Sequence, residues 1–165
     1  MGILKFCPQC GQETLQFDGE KKFSCHYCNF VLYHNCAAAV AVVIRCGDEI
    51  LLTKRNQNPS LGKLDLAGGF VDPKESAENS CAREIYEELG IEIDPKKLKF
   101  LMSLPNVYHY KEIDYNTLDL FFEYNVDEKV VAKKLETHEI AEVIWLEISE
   151  LNIEDIAFDS QRKFL

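Results

Sequence analysis

In the stretch Arg83-Glu84-Ile85-Tyr86-Glu87-Glu88-Leu89, the carboxylates of Glu84, Glu87 and Glu88 stand at positions i, i+3 and i+4, the spacing that places side chains on one face of an α-helix. Like charges at that spacing repel one another, and Arg83 is the cation beside them. Hard carboxylate oxygens gathered in this way suit Mg2+ or Mn2+, which bind through a few carboxylates together with waters and phosphate oxygens. Such ions would also recruit an anionic substrate to an acidic protein. Taken by themselves, the three glutamates read equally as a solvated acidic face.

A second set of reactive side chains lies near the N-terminus. Cys7-Pro8-Gln9-Cys10 and Cys25-His26-Tyr27-Cys28 are two Cys-x-x-Cys pairs separated by the 14 residues from Gly11 to Ser24, a pattern that holds Zn2+ between two knuckles. Four thiolates complete a tetrahedron and leave no open coordination position, so this zinc is expected to be structural. The segment has too few apolar residues to hold a core alone, and the metal supplies the folding energy. His26 and His34 are expected to be exposed or satisfied side chains, and Cys36, Cys46 and Cys81 small buried hydrophobes.

A chain of 165 residues fits one ordinary domain with a small appendage. A hydrophobic fraction of 47% with 28% charged residues is that of a globular protein with a real core. The net charge of −10 repels phosphate backbones, so no nucleic-acid partner is expected, and an anionic substrate needs bound cations. The longest apolar run, Cys36 to Ile44, is far short of the about 20 residues of a bilayer span and lacks the flanks of a cleaved signal. The expectation is a cytoplasmic protein with no membrane partner.

The elements that must position these residues follow from periodicity. Residues 1–36 form the small cysteine-bearing domain and residues 37–165 the larger one. Ala37 to Ile44 reads as a buried strand, paired across Cys46-Gly47-Asp48 with Glu49 to Lys54. Asn56 to Gly62 is loop, and Leu64 to Phe70 is short and extended. Ser76 to Leu89 is helical, with Ala77, Cys81, Ile85 and Leu89 on one stripe and Gly90 as the C-terminal cap. Lys99–Leu104, Thr117–Val126 and Val143–Leu146 read as strands, and a terminal helix begins at Ser149.

The whole string from Gly69 to Ile91 resembles the Nudix box without a departure: Gly69, five residues, Glu75, seven residues, Arg83-Glu84, Ile85, Tyr86, Glu87-Glu88, Leu89, Gly90, Ile91. The resemblance implies an α/β/α sandwich with a mixed sheet and metal-dependent hydrolysis of a nucleoside diphosphate linked to another group. It makes Glu84, Glu87 and Glu88 the metal-binding and base-supplying carboxylates and Arg83 the arginine that orients them. Glu75 and Gly69 support the box, and the Gly68 carbonyl is a backbone metal ligand. In some members the carboxylate that takes the proton from water lies outside the box. Glu139 is the candidate here, followed by Glu142 and Glu136, each of which reads equally as a loop charge.

A four-cysteine ribbon ahead of such a domain is similar to the bacterial NADH pyrophosphatase family, as are Leu66-Ala67-Gly68-Gly69-Phe70-Val71-Asp72 and the spacing of Glu139 and Glu142 to Trp145. That family carries Ser-Gln-Pro-Trp where this chain has Ser103-Leu104-Pro105-Asn106, without the tryptophan. The expected substrate is therefore NADH-, NAD- or ADP-ribose-like. A homodimer is expected by the same resemblance. Tyr108, Tyr110 and Phe70 offer aromatic faces to a base; packing is an equal reading for the tyrosines and the favoured one for Phe70. The competing function is a zinc ribbon joined to a Nudix-fold nucleotide sensor without turnover, but such sensors usually lose box residues and this chain has lost none.

Overall fold

The computed structural model describes residues 4–111, 113–133 and 138–165. The chain divides into two compact units at Cys36/Ala37. In the first, β1 (Leu15–Phe17), β2 (Lys22–Cys25) and β3 (Val31–Tyr33) form an antiparallel sheet in chain order. Asp18 shapes the first turn by accepting from the amides of Glu20, Lys21 and Lys22 at 2.9, 2.9 and 3.1 Å. The buried set is small, comprising Cys7, Leu15, Phe23 and Cys25 with Phe17 and Phe30 beside them.

The second unit is built on six strands: β4 (Ala37–Cys46), β5 (Glu49–Arg55), β6 (Leu64–Asp65), β7 (Lys99–Tyr110), β8 (Ile113–Asn125) and β9 (Ile140–Glu147). Their order is β6-β5-β4-β8-β7, with β9 also paired to β5. The pair β4–β8 is parallel from Ala37 to Arg45, and the other pairs are antiparallel, which makes a mixed sheet. The unbroken apolar run of β4 is explained by cover on both faces. Val40, Val42 and Ile44 pack with Cys81, Ile85 and Leu89 of α1 (Ala77–Leu89). Ala41 and Val43 face the other way, toward Phe121 and the residues of α2 (Asp159–Phe164), where the Phe121 and Phe164 rings stack at 4.4 Å. Helices on both faces of one mixed sheet are the expected α/β/α sandwich.

The box helix forms where periodicity puts it. Ser76 is the N-cap and accepts from the Asn79 amide at 3.2 Å. Gly90 ends it in the left-handed region at φ 66°, its amide bonded to the Tyr86 carbonyl at 2.9 Å. Cys81, Ile85 and Leu89 are fully buried, which turns the carboxylates away from the core stripe and toward the loop that precedes the helix.

Three segments differ from expectation. The strand read as Lys99–Leu104 runs on to Tyr110, because its outer half pairs with Ile113–Thr117 of β8, and Pro105 is accommodated since β7 is an edge strand. The segment 64–70 is a strand only at Leu64–Asp65; beyond it the chain meets β4 through isolated bridges, Val42 with Ala67 and Ala39 with Phe70. The terminal helix expected from Ser149 begins only ten residues later, at Asp159. Two 3-10 turns, Ile148–Glu150 and Ile153–Asp155, come first, the second started by the Asn152 side chain accepting from the Glu154 amide at 3.3 Å, and α2 begins at Asp159. Among the described residues no helix is long and apolar enough to cross a membrane.

Candidate functional site

The loop ahead of the helix is laid along β4: Val40 N–H donates to the Gly69 carbonyl at 2.8 Å and Val71 N–H to Ala38 at 3.0 Å. That closeness dictates the two glycines. Gly68 has φ +152°, and a Cβ there would collide with the Val40 carbonyl. At Gly69 a Cβ would meet the Glu84 carboxyl instead. Gly68 N–H donates to Glu88 Oε2 at 3.2 Å, tying the loop to the last box glutamate.

Arg83 answers the repulsion among the acids. Its Nη1 donates to Glu84 Oε1 at 2.8 Å and to Glu87 Oε2 at 3.0 Å, and its Nη2 to Glu75 Oε2 and the Phe70 carbonyl, each at 3.0 Å. One planar guanidinium therefore joins the loop to the helix. The Glu75 carboxyl is held below its ordinary pKa by the hydrogen bond from Arg83. Glu84 is pushed above it, because burial outweighs the help of Arg83. Glu88 is pushed well above it by burial first and then by the nearby charges of Asp65 and Glu84. Among the described residues no ion pair is formed by Glu88. A partly buried carboxyl crowded by other acids is the environment that a hard divalent cation relieves, so the residues present fit such an ion, with Glu84, Glu87, Glu88 and the Gly68 carbonyl as the oxygen donors at hand. These carboxylates do not converge as the cysteines do, since Arg83 draws Glu84 and Glu87 to itself.

The box borders a cavity of about 390 Å³ whose wall includes Gly68, Gly69, Glu84 and Glu88 together with the aromatic residues Phe70, Tyr108 and Phe158. Glu139 also lines it, and its charge helps to raise the pKa of both Glu84 and Glu88. Glu142 is exposed on β9 and is not part of the wall, while Glu136 lies outside the described residues. Phe70 and Tyr108 meet edge to face at 5.8 Å. Tyr110 is not in the wall; it stacks on Tyr108 at 6.3 Å, with Lys111 Nζ 5.0 Å from its ring.

Several wall residues escaped the sequence reading. Phe158 lies 5.8 Å from Tyr108, and the Arg55 guanidinium sits 4.9 Å over the Phe158 ring. Arg55 is held by Asp65 Oδ2 at 2.6 Å and by the Pro59 carbonyl at 2.8 Å, and Gln161 Nε2 donates to Asp65 Oδ1 at 2.6 Å. Burial pushes the Asp65 carboxyl up against the pull of Arg55. Asp119 lines the cavity too. The available signal was an acid interrupting an apolar strand, Leu64-Asp65-Leu66 and Leu118-Asp119-Leu120, because Asp is seldom buried without a partner.

In the first unit the four sulfurs of Cys7, Cys10, Cys25 and Cys28 all lie within 4.8 Å of one another, with Cys7–Cys28 at 3.6 Å and Cys10–Cys25 at 3.7 Å. Zn–S bonds of about 2.3 Å at tetrahedral angles put sulfurs about 3.8 Å apart, so the set fits zinc. The Thr14 hydroxyl, 3.1 Å from Cys25 Sγ, leads the effects that lower the Cys25 thiol to about 6. His26 is bonded to Gln16 at 2.8 Å and His34 lies edge-on to Phe17, so neither joins the set. Of the other cysteines, Cys81 is buried as expected, but Cys46 is only half-buried and Cys36 is exposed, since the apolar run that follows Cys36 begins to be covered only at Val40.

The family model for the NUDIX domain matches residues 34–165. The chain is 37% identical over 103 residues to the NAD-capped RNA hydrolase NudC of Haemophilus influenzae (strain PittGG), a match covering 61% of this chain and 38% of that relative. It thus spans well under half the length of the curated relatives it matches. Among solved structures, a NUDIX hydrolase from Nitrosomonas europaea superposes with a TM-score of 0.60 at 25% identity, covering 94% of this chain and 85% of that one. The MutT NUDIX hydrolase from Burkholderia pseudomallei gives 0.62 at 23% identity over 72% and 88%, which is a likeness of fold. The box lies on the loop and helix that its spacing requires, the sandwich is the one those structures share, and the match spans most of the sequence; the chain belongs to the Nudix family.

Proposed function

We propose that this chain hydrolyses the diphosphate linkage of a small nucleoside diphosphate derivative, NADH-, NAD- or ADP-ribose-like, with Mg2+ or Mn2+ as the catalytic ion. The observation that carries the reading is Glu88, crowded by Glu84 and Asp65 without an ion pair among the described residues, in the wall of a cavity that is also lined by aromatic rings. Glu84, Glu87, Glu88 and the Gly68 carbonyl would hold the ion. When bound, it supplies positive charge to the diphosphate oxygens and makes water a better nucleophile. Arg83 and Glu75 tie the loop to the box helix, and Arg83 must release Glu84 and Glu87 for them to hold the ion. Glu139 faces the same cavity from outside the box and is the residue we assign to take the proton from water. Phe70 and Tyr108 give the base an apolar wall.

Residues 37–165 are the Nudix hydrolase domain in this proposal, and residues 1–36 are a ribbon that a structural Zn2+ holds through Cys7, Cys10, Cys25 and Cys28. The relative's name attaches a capped RNA to that enzyme. With a net charge of −10 this chain repels a polynucleotide tail, so the proposal is confined to free nucleotides. Product-resolved hydrolysis of NADH, NAD, ADP-ribose, dinucleoside polyphosphates, nucleotide sugars and nucleoside triphosphates with Mg2+ or Mn2+ tests it. Cleavage between the two phosphorus atoms of at least one diphosphate is expected, and no turnover of any of them would overturn it.

A further inference from the structure

The wall of the cavity holds a carboxyl group that the proposed hydrolysis does not use. Asp119 is on β8, beside Ala39 of β4, and its relative exposure is 8%. Oδ1 accepts from the Thr117 hydroxyl at 2.6 Å and Oδ2 from the fully buried Ser160 hydroxyl at 2.5 Å. No ion pair to Asp119 occurs among the described residues. The two arginines in the wall are engaged elsewhere, Arg55 by Asp65 and the Pro59 carbonyl and Arg83 by the box glutamates and the Phe70 carbonyl. Gln161 is spent at both ends, its Nε2 on Asp65 and its Oε1 on the Leu66 amide at 3.0 Å.

A carboxylate offers about four acceptor positions, and two hydroxyls fill about half of them. Buried acceptors are costly to leave unfilled. Ala39, paired with Asp119, and Ala41 also line the cavity, and side chains that small fill little of it. The remaining acceptor positions of Asp119 therefore belong to whatever enters. In the proposed reaction the ion held by Glu84, Glu87 and Glu88 would take the diphosphate, which leaves the ring of the guest to Asp119.

Resting on the hydrolase reading, we propose that Asp119 is a specificity-determining residue that accepts a hydrogen bond from an exocyclic N–H on the heterocycle seated against Tyr108 and Phe158. Two groups share that chemistry, the amino group of adenine and the carboxamide of nicotinamide. Each has a counterpart that lacks the donor, hypoxanthine and nicotinic acid.

The test is equilibrium binding to the full chain, measured by calorimetry, of two matched pairs: AMP against IMP, and nicotinamide mononucleotide against nicotinic acid mononucleotide. The donor-bearing member is expected to bind about tenfold more tightly in one pair, and the pair that shows it names the ring. Asp119→Asn, which presents an amide in the same shape, is expected to bring that pair within about twofold. Asp119→Ser, which removes the carboxylate altogether, is expected to lose the preference as well and supplies the test if Asp119→Asn does not fold, while Ser160→Ala, which keeps the carboxylate, is expected to retain it. Equal binding within both pairs, or an undiminished preference in folded Asp119→Asn, overturns the assignment. Binding does not depend on turnover, so failure here is distinct from failure of the hydrolase proposal.

Discussion

A Cβ built on Gly69 would lie 2.6 Å from Glu84 Oε1 and 2.9 Å from Oε2, so the loop glycine and the helix glutamate share one packing site. The atom in the way is the end of a flexible side chain, and Gly69→Ala is therefore expected to fold normally while displacing the Glu84 carboxyl. A displacement on this scale lowers kcat/KM by about 100-fold. Gly68→Ala should behave oppositely, because its obstacle is the Val40 backbone and its φ is +152°; it lowers the melting temperature first. Thermal unfolding and steady-state kinetics on both variants check the contrast, and full activity in Gly69→Ala would contradict it.

Arg83 touches Glu75, Glu84, Glu87 and the Phe70 carbonyl at once. A lysine is a single point charge and cannot make that fork. Arg83→Lys is expected to lower kcat by about tenfold or more, with KM less affected, since the aromatic wall that holds the base is unchanged. Equal kcat in the two proteins would mean that the guanidinium geometry is not used.

The pKa shifts predict opposite pH dependences in two windows. Glu88 has a raised folded pKa, so without divalent ions the folded protein loses stability as pH rises from about 4.3 through the folded value. Glu75 has a lowered one; its contribution is present above about 4.3 and is lost as pH falls through its folded value. Thermal unfolding of metal-free protein across both windows should show a shallower decline on the alkaline side for Glu88→Gln. Added Mn2+ should restore stability to the wild type by binding the folded state. Identical slopes for the two proteins would show that Glu88 is not the group responsible.

Purified protein is expected to carry about one zinc per chain. Cys10→Ser should lose it and expose residues 4–36 to proteolysis, while residues 37–165, with their own core, stay folded. A zinc-free wild type with an intact ribbon would refute the ligand set.

Much of this was legible in the residues. The box helix was readable from Ser76 to Gly90 because capping chemistry, apolar spacing and the carboxylates agree locally. The ribbon was readable because cysteine spacing carries its own geometry. The aromatic wall was only half visible. Tyr108 and Phe70 stood out, but Phe158 comes to Tyr108 from a segment expected to be helix, and nothing local joins them. Asp65 and Asp119 were hidden for the same reason: their partners Gln161 and Ser160 are separated from them by 96 and 41 positions. The outer half of β7 was missed because its pairing with β8, and not its own pattern, makes it a strand.

In the proposed reaction the box carboxylates work together because a divalent cation joins them. Calorimetric titration of Mn2+ into the wild type and into Glu87→Gln/Glu88→Gln, each with and without ADP-ribose, tests it most directly. Saturable uptake by the wild type that tightens with the nucleotide, and loss of that uptake in the double variant, is the predicted result; no uptake by the wild type, or equal uptake by both, would contradict it.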